Sequence, residues 1–577
     1  MKIPVPHYFT SCLPRSVVAV AALGLWVGGS SLKAQTNYWD TNNGEWTNAG
    51  NWTEGLPTGT SRIYFSKTAT SDQSVIDVTI ADGANALTDS LGVGYGKTVN
   101  LSLGEGASLD SKGWVIGGNS PTGVTSAAGN IKVSSTGTAT VTLTNFQVGG
   151  LASGPSGNKA EFSGPNLTVD ITLGASIGRY RDSNETTISN GATVTANSQV
   201  WLGNVTDIAN GTGNDNKLFV TGSGSRLVLT NPGSSSLAVA SRAITGAGTN
   251  VRQTGNAVQI SDGGSIFVDG TGVSTAAAVK IGSNQYKQSN FISVTGESSL
   301  LELKGNTGID IGYNGTATWD NYLLVKDGGV VKNEGYLSIL GNRSTGALNR
   351  LVIDNGTYSS GSTISITGGG LQITNGGKLL GETWAGAAAP LSVTIQNSAN
   401  TISRFEVGAG SVIGSTVSTT IKDGSVFAIV NGGSMVTTNV LDLNSSISME
   451  ANSVFETTIF GGGLNDVYQL DINAPGLLML ANGSKLKLSL AGYDIVGGER
   501  WQLFTGDAAG VTGIFDLGIS SLPTLAAGLE WDTTDFNESG NWTLAVSAVP
   551  EPSSLALLGI ATVAGGWIAR RRWSRNG

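Results

Sequence analysis

Two carboxylate pairs stand close enough in sequence to suggest acid–base chemistry: Asp466 with Asp471, and Asp532 with Asp535. Glycosidases work with two carboxylates, and lyases built on β-helices combine acidic calcium sites with a basic residue. Both pairs, however, lie in stretches rich in Gly and Asn, where Asp is favoured because its side chain bonds the nearby backbone. Positions five apart in a strand also face opposite ways, which separates Asp466 from Asp471. The run Asn210-Gly211-Thr212-Gly213-Asn214-Asp215-Asn216 is rich in oxygen ligands, and calcium is the cofactor it would suit. It lacks the closing Glu of an EF-hand and is not part of a Gly-Asp nonapeptide array, so a plain turn is expected and no metal site is assigned. No phosphate loop with Lys-Ser/Thr occurs. No catalytic residue is assigned, and the chain is read as not an enzyme.

The only histidine, His7, and the only cysteine, Cys12, both fall near the N-terminus. That segment has the layout of a secretory signal peptide, residues 1–34. Lys2 and Arg15 carry positive charge, residues 16–29 are apolar and small, and Leu32-Lys33-Ala34 precedes a cleavage point between Ala34 and Gln35. A single arginine at Arg15 gives no twin-arginine signature. Cleavage leaves a body without Cys or His. This excludes thiol nucleophiles, Ser-His-Asp triads, structural zinc sites and His-ligated haem. It also excludes disulfides, so packing and backbone pairing must supply the stability.

The ends carry seven of the 32 basic residues, in 1–34 and 553–577, and none of the 41 acidic ones. The body between them therefore has 25 basic against 41 acidic residues, a net charge of −16. Nucleic acid is a poor partner for such a surface. A soluble, self-repelling surface protein fits it better. Glycine is 84 of 577 residues and only 13% are charged, yet 39% are apolar, too many for a disordered chain. Many short strands joined by many turns produce that mixture.

Residues 67–460 repeat loosely. One phrase opens with Asn, alternates apolar and polar residues, turns at Gly and continues as a second strand. It starts at Asn184, Asn216, Asn256, Asn290, Asn321 and Asn349, at intervals of 32, 40, 34, 31 and 28. A second phrase precedes many of these: WVIGGN from Trp114, WLGN from Trp201, VKIGSN from Val279, IDIGYN from Ile309 and LSILGN from Leu337. A unit of this length cannot bury its own apolar face and must stack on its neighbours. Alternation such as Leu218, Val220 then Leu227, Leu229 is strand periodicity. Three short strands per period predict an all-β, right-handed parallel β-solenoid (β-helix) of 12 or 13 coils, about 60 Å long at ~4.8 Å per coil. Asparagines at equivalent turns are expected to stack as ladders. The competing architecture, an array of β-sandwiches, needs longer strands and a hairpin at every connection. These repeats are similar to those of autotransporter-type passenger proteins and other extracellular β-helices.

The two flanks differ. Residues 35–66 place Trp39, Trp46 and Trp52 among Asn, Gly and Thr, and resemble the W…W…NW…P…F opening of autotransporter-like surface proteins. The tryptophans suit a cap on the end of the repeats, or an aromatic platform for glycan contact. Residues 461–548 change register, with Asp-x-Tyr-x-Leu-x-Ile, Leu-Phe and Gly-Leu-x-Trp-Asp elements. They resemble the C-terminal β region often found before a PEP-CTERM tail. Capping the open end of the solenoid is their expected role, because a bare last coil exposes a strand edge.

The tail, residues 549–577, reads VPEPSSLALLGIATVAGGWIARRRWSRNG. Pro550 and Pro552 fix φ and donate no hydrogen bond, so the start stays extended and accessible. The apolar run, residues 553–569, approaches the length of a single transmembrane helix, and Arg570, Arg571 and Arg572 mark a cytoplasmic end. A plain, permanent C-terminal anchor is the alternative. The tail resembles the PEP-CTERM sorting signal of bacterial exported proteins. By that resemblance Pro550, Glu551 and Pro552 are recognised by an exosortase, a membrane transpeptidase-like enzyme that removes the tail. The chain is then exported and held at the inner membrane until it is sorted to the surface. Its expected role is structural or adhesive, at the cell surface or in an exopolysaccharide matrix. A secreted polysaccharide lyase or hydrolase and a carbohydrate-binding surface protein are the alternatives.

Overall fold

A computed structural model of the protein describes residues 35–549 apart from short interior stretches, the longest at 66–74, 118–127, 204–211 and 241–252, together with five positions between 561 and 570. The expected signal peptide, residues 1–34, the motif Pro550-Glu551-Pro552, Arg571 and Arg572 lie outside the described residues, as does most of the run 553–569. Among the described residues no helix is long and apolar enough to cross a membrane.

Strands pair with their equivalents one period later, always in parallel, so the chain winds as a coil. One face is a 16-stranded sheet running from Asn43–Glu45 to Lys485–Leu490. The other two faces form one 28-stranded sheet. They merge because a strand such as Leu167–Ile177 rounds a corner unbroken, then pairs with both Thr193–Ala196 and Gln199–Leu202 in the next coil. This parallel winding rules out the sandwich array, whose hairpins would make the ladders antiparallel.

Alternation sets which residues point inward. On the 16-stranded face Val220, Ile260, Val294, Val325, Ile353, Ile373 and Val407 are successive partners in register. All are fully buried, giving one column of β-branched side chains down the axis. A neighbouring column begins at Leu218 and becomes aromatic at Phe405, Phe427 and Phe455, whose rings lie 5.5 and 5.7 Å apart. Outward positions carry charge, as where Lys159 meets Glu185 at 3.3 Å one coil on.

The coil is longer than the sequence predicts. Sixteen strands on one face at ~4.8 Å spacing give a rod of about 70 Å, not 12 or 13 coils. Two causes are visible. Some turns are shorter than the ~30-residue period: Arg350 pairs with Gly370, and Arg404 with Val426. Parallel pairing also starts at Thr36–Trp39 and continues past residue 460, through Gln469–Ile472 and Leu477–Leu480 to Val511–Thr512.

Both ends are closed. At the first coil residues 51–53 fold back on strand Thr36–Trp39, where Asp40 N donates to Asn51 O and Thr53 N to Tyr38 O. At the last coil Ser521 pairs with the edge of Lys485–Leu490, through Leu488 N to Ser521 O and Ser521 N to Leu486 O. Beyond it Arg500–Gln502, Thr543–Ala548 and Leu529–Asp532 form a three-stranded antiparallel sheet with Thr543–Ala548 at its centre. Trp501 and Trp542 from this sheet segment are buried against the core, and the Trp542 ring lies 5.2 Å from Phe504 and 5.5 Å from Phe536.

Candidate functional site

One corner of the coil carries a continuous line of buried amides: Asn158, Asn184, Asn216, Asn256, Asn290, Asn321 and Asn349. Each Nδ2 donates to the Oδ1 of the next asparagine, at 2.8 to 3.0 Å along the whole row. Each Oδ1 also accepts the backbone N–H of the preceding asparagine, at 3.0 to 3.2 Å. Asparagine alone, with glutamine too long for the turn, offers an acceptor and a donor at this reach. The residue before the ladder position takes a left-handed backbone: Ser183, Asp215, Ser289 and Asp320 have φ of 52 to 57°. Short polar residues tolerate that region best.

The ladder explains the second sequence phrase. The glycines of WVIGGN, WLGN, VKIGSN and IDIGYN are Gly117, Gly203, Gly282 and Gly312, all at positive φ. A Cβ on any of them would fall on the side-chain amide of a ladder asparagine. Asn158, with Gly117 as its partner, belongs to the row although its phrase, NKAEF, is not among the six Asn-led phrases of the repeat. The Asn-Lys start that it shares with Asn216-Lys217 is the signal that finds it.

Beside the ladder runs a shorter polar line. Gln253 Nε2 donates to Gly203 O at 2.8 Å, and the Lys287 ammonium donates to Gln253 Oε1. Lys287 is fully buried, and burial pushes its pKa down to about 7. On the outer side of another face, Asp310 lies in register with Lys280. Burial raises the Asp310 carboxyl to about 6, with the Lys280 charge acting the other way. Nothing in the sequence marks either group, since each depends on what the neighbouring coils place around it.

The residues singled out for chemistry are dispersed. Asp466 accepts from Gly463 N, while Asp471 accepts from Thr505 Oγ1 and Asn473 Nδ2. Asp535 pairs with Arg500 at 2.8 Å, and Asp532 accepts from Thr534 N. Asp466 and Asp471 are thus held by different partners, whereas Asp532 and Asp535 both lie by Arg500. Hydrogen bonds from Thr534 lower the Asp532 carboxyl, and the Arg500 charge adds to them. In the oxygen-rich run, residues 210 and 211 lie outside the described residues. Of the others, Asn216 is in the ladder, Asn214 Oδ1 accepts from Thr254 N, and Thr212 Oγ1 donates to Asp182. Those groups stitch coils together, and among the described residues no cluster of acidic or other ligating side chains is assembled for a metal.

The tryptophan platform is corrected. Trp39, Trp46 and Trp52 are 2%, 2% and 5% exposed. Trp52 packs edge-on against both others at 4.8 and 4.9 Å, and its Nε1 donates to Trp46 O. The three rings plug the first coil because its apolar end has no earlier coil to cover it, and no ring face remains for a sugar. Gln35, on the far side of the expected cleavage point, is exposed.

The tail leaves the folded body at a defined point. Thr543–Ala548 is hydrogen-bonded on both sides, and Val549 N still donates to Gly528 O at 2.8 Å. The next residue, Pro550, has no N–H with which to extend the ladder. The Pro-Glu-Pro triplet thus starts one residue beyond the last backbone bond of the body. Arg570 is exposed. No curated protein matches the chain. Residues 548–572 match the PEP-CTERM protein-sorting motif, which marks an exported protein that is sorted by an exosortase and destined for the cell surface.

Proposed function

We propose that the protein is a non-enzymatic structural or adhesive rod of the cell surface or exopolysaccharide matrix, delivered there through its C-terminal signal. The observation that carries this reading is the combination of a sorting motif over residues 548–572, where the folded body ends, with a coil closed by fold-back segments at both ends. A closed coil presents long, regular, polar faces and few frayed edges for proteases. Asp466 and Asp471 are engaged by separate backbone and side-chain donors, and Asp535 is neutralised by Arg500, which supports a role without catalysis. Before processing, the apolar run 553–569 and Arg570, Arg571 and Arg572 hold the tail at the inner membrane; their sequence alone supports this step.

Mass spectrometry of the C-terminal peptide, from cells and from medium, tests the delivery. A chain ending near Pro550-Glu551-Pro552 supports it, whereas a peptide still carrying Trp567 and the arginines makes the tail a permanent anchor. Co-sedimentation of the protein with matrix polysaccharide tests the role. Release of reducing ends or unsaturated products from a glycan panel would replace it with the lyase or hydrolase reading.

A further inference from the structure

One coil carries a notch in its outer surface. Asn145, Gly174 and Gln199 are successive partners in register, and so are Gln147, Ser176 and Trp201. In both columns the middle coil contributes the smallest residue, glycine or serine, between larger neighbours. The middle strand also shifts register between Ile171 and Gly174, which throws Leu173 outward at 56% exposure. A bulge re-aims side chains in this way. The result is a cavity of about 220 Å³ whose walls are Gln147, Leu173, Arg179, Gln199 and Trp201, with Ser176 among its lining residues.

Two polar atoms in this notch are buried without a partner among the described residues: Ser176 Oγ, on a residue 7% exposed, and Arg179 Nε. Buried polar groups of native proteins are almost always hydrogen-bonded, and an unmade bond costs about 1–3 kcal/mol. Arg179 forms no salt bridge among the described residues, and its guanidinium lies 5.1 Å from the centre of the Tyr180 ring. Among the described residues no Asp or Glu lines the notch. In a body with 41 acidic residues to 25 basic ones, a guanidinium placed in a cavity with no carboxylate among the described residues is set apart from its surroundings.

We propose that this notch binds a carboxylate-bearing sugar residue of an acidic glycan. Trp201 offers an aromatic wall to the apolar side of a sugar ring. Gln147 and Gln199 bring amide donors and acceptors for its hydroxyls. Arg179 meets the carboxylate as a charge-assisted pair, and Ser176 fills its open bond on the same ligand. The volume is below the roughly 300 Å³ at which drug-sized sites begin, so it takes one residue of a polymer. The inference rests on the surface reading in one respect, that an exported rod meets extracellular glycan.

Calorimetric titration of the full chain in detergent with hexagalacturonate, and with maltohexaose as the neutral probe, tests it. Hexagalacturonate is expected to bind at least 10-fold more tightly than maltohexaose. Arg179→Gln should weaken the acidic probe at least 10-fold and leave the neutral one unchanged. Trp201→Ala should weaken both. Arg179→Lys, which keeps the charge but loses Nε, should give an intermediate loss and guards against misfolding in the other variants. Equal affinity for the two probes, or wild-type affinity in the Arg179→Gln, Trp201→Ala double variant, overturns the proposal. If hexagalacturonate does not bind but the protein still sediments with matrix, this site falls and the surface role stands. If both are lost, the adhesive reading falls as well.

Discussion

The Cβ that Gly178 lacks would fall on the side-chain amide of Asn216, one full coil further along the chain. Gly178 has φ of +70°, so its conformation already disfavours any other residue. The two facts have different consequences. Backbone strain is local to Gly178, whereas the overlap would push Asn216 out of a row in which it bonds both Asn184 and Asn256.

Gly178→Ala is therefore expected to cost far more than the ~1–2 kcal/mol of a left-handed alanine. Gly83→Ala supplies the comparison, because Gly83 has φ of +64° and open space where its Cβ would stand. Thermal unfolding of the two variants should separate them by at least about 2 kcal/mol, and Gly178→Ala should recover part of its loss when combined with Asn216→Gly. Equal destabilisation of Gly178→Ala and Gly83→Ala would show that the ladder does not press on this glycine.

The ladder itself should answer to position. Replacing Asn256 with Ala removes the acceptor of two donors, Asn216 N–H and Asn216 Nδ2. Replacing Asn158 with Ala removes the acceptor of Gly129 N–H alone. At about 1–3 kcal/mol for each buried donor left unpaired, Asn256→Ala is expected to be the more damaging by roughly that amount. Limited proteolysis gives a second readout, since cleavage should begin at the coil around residue 256. An Asn158→Ala protein as unstable as Asn256→Ala would contradict this account.

The repeat was legible because its chemistry is local and recurs. The interval between Asn184 and Asn216 is the register of Glu185 on Lys217, so spacing in the chain is spacing in the rod. Alternation alone placed Leu218, Val220, Leu227 and Leu229 in the core, where all four are buried. What failed was whatever depended on neighbours far along the chain. Trp39, Trp46 and Trp52 look as suited to a sugar as to a plug, and only the missing coil beneath them decides. Trp201 appeared merely as part of a repeat phrase, because the notch beside it is made by Gly174 and Ser176 in a different coil. The number of coils was too low because the turn from Arg350 to Gly370 carries no ladder asparagine to announce it.

Lys287 gives the rod a pH dependence with a defined sign. Its pKa is about 7 in the folded chain and near 10.5 when unfolded. Between these values the unfolded chain binds a proton that the folded chain does not. The contribution of this group to stability is therefore most favourable above pH 10.5, falls as the pH drops towards 7, and levels off below it. Lys287→Met removes the penalty, so at pH 6 the variant should be more stable than the wild type by up to about 5 kcal/mol, less whatever the Gln253 contact contributes. The advantage should shrink steadily between pH 7 and 10. A stability difference between variant and wild type that stays constant from pH 6 to 10 would contradict the buried, neutral lysine.

Asp310 runs the other way. Burial raises its carboxyl to about 6, so between the unfolded value of 3.8 and 6 the folded chain holds the extra proton. Its contribution is fully present below pH 3.8 and is lost as the pH rises through 6. Asp310→Asn should thus stabilise the protein at pH 7, by about 1–3 kcal/mol, and make no difference near pH 3.5. Lys280 opposes the shift, so Lys280→Met is expected to enlarge the gain from Asp310→Asn. Melting curves of the four combinations at the two pH values measure the coupling directly.

Trp542 decides whether the rod ends. Its ring touches Phe504, Phe515 and Phe536, and its carbonyl accepts from Leu503 N, so it fastens the antiparallel sheet to the last coil. Trp542→Ala should cost about 3–5 kcal/mol, as expected for a large side chain removed from a core. The loss should be confined to the C-terminal end, because in a coil each turn rests only on its neighbours. Once the cap lifts, the edge of Lys485–Leu490 loses its pairing with Ser521 and presents bare N–H and C=O groups. The first coil of another molecule does not offer an equally bare edge, since its matching strand, Asn43–Glu45, is only three residues long and Asn51 Nδ2 already bonds Glu45 O, while residues 51–53 cover Thr36–Trp39. Loss of the C-terminal cap should therefore produce edge-to-edge dimers through two C-terminal ends, which sedimentation velocity resolves from longer polymers. Head-to-tail fibres from Trp542→Ala would mean that the N-terminal fold-back opens as easily as the C-terminal cap, and a strictly monomeric variant would mean that the cap holds without its tryptophan.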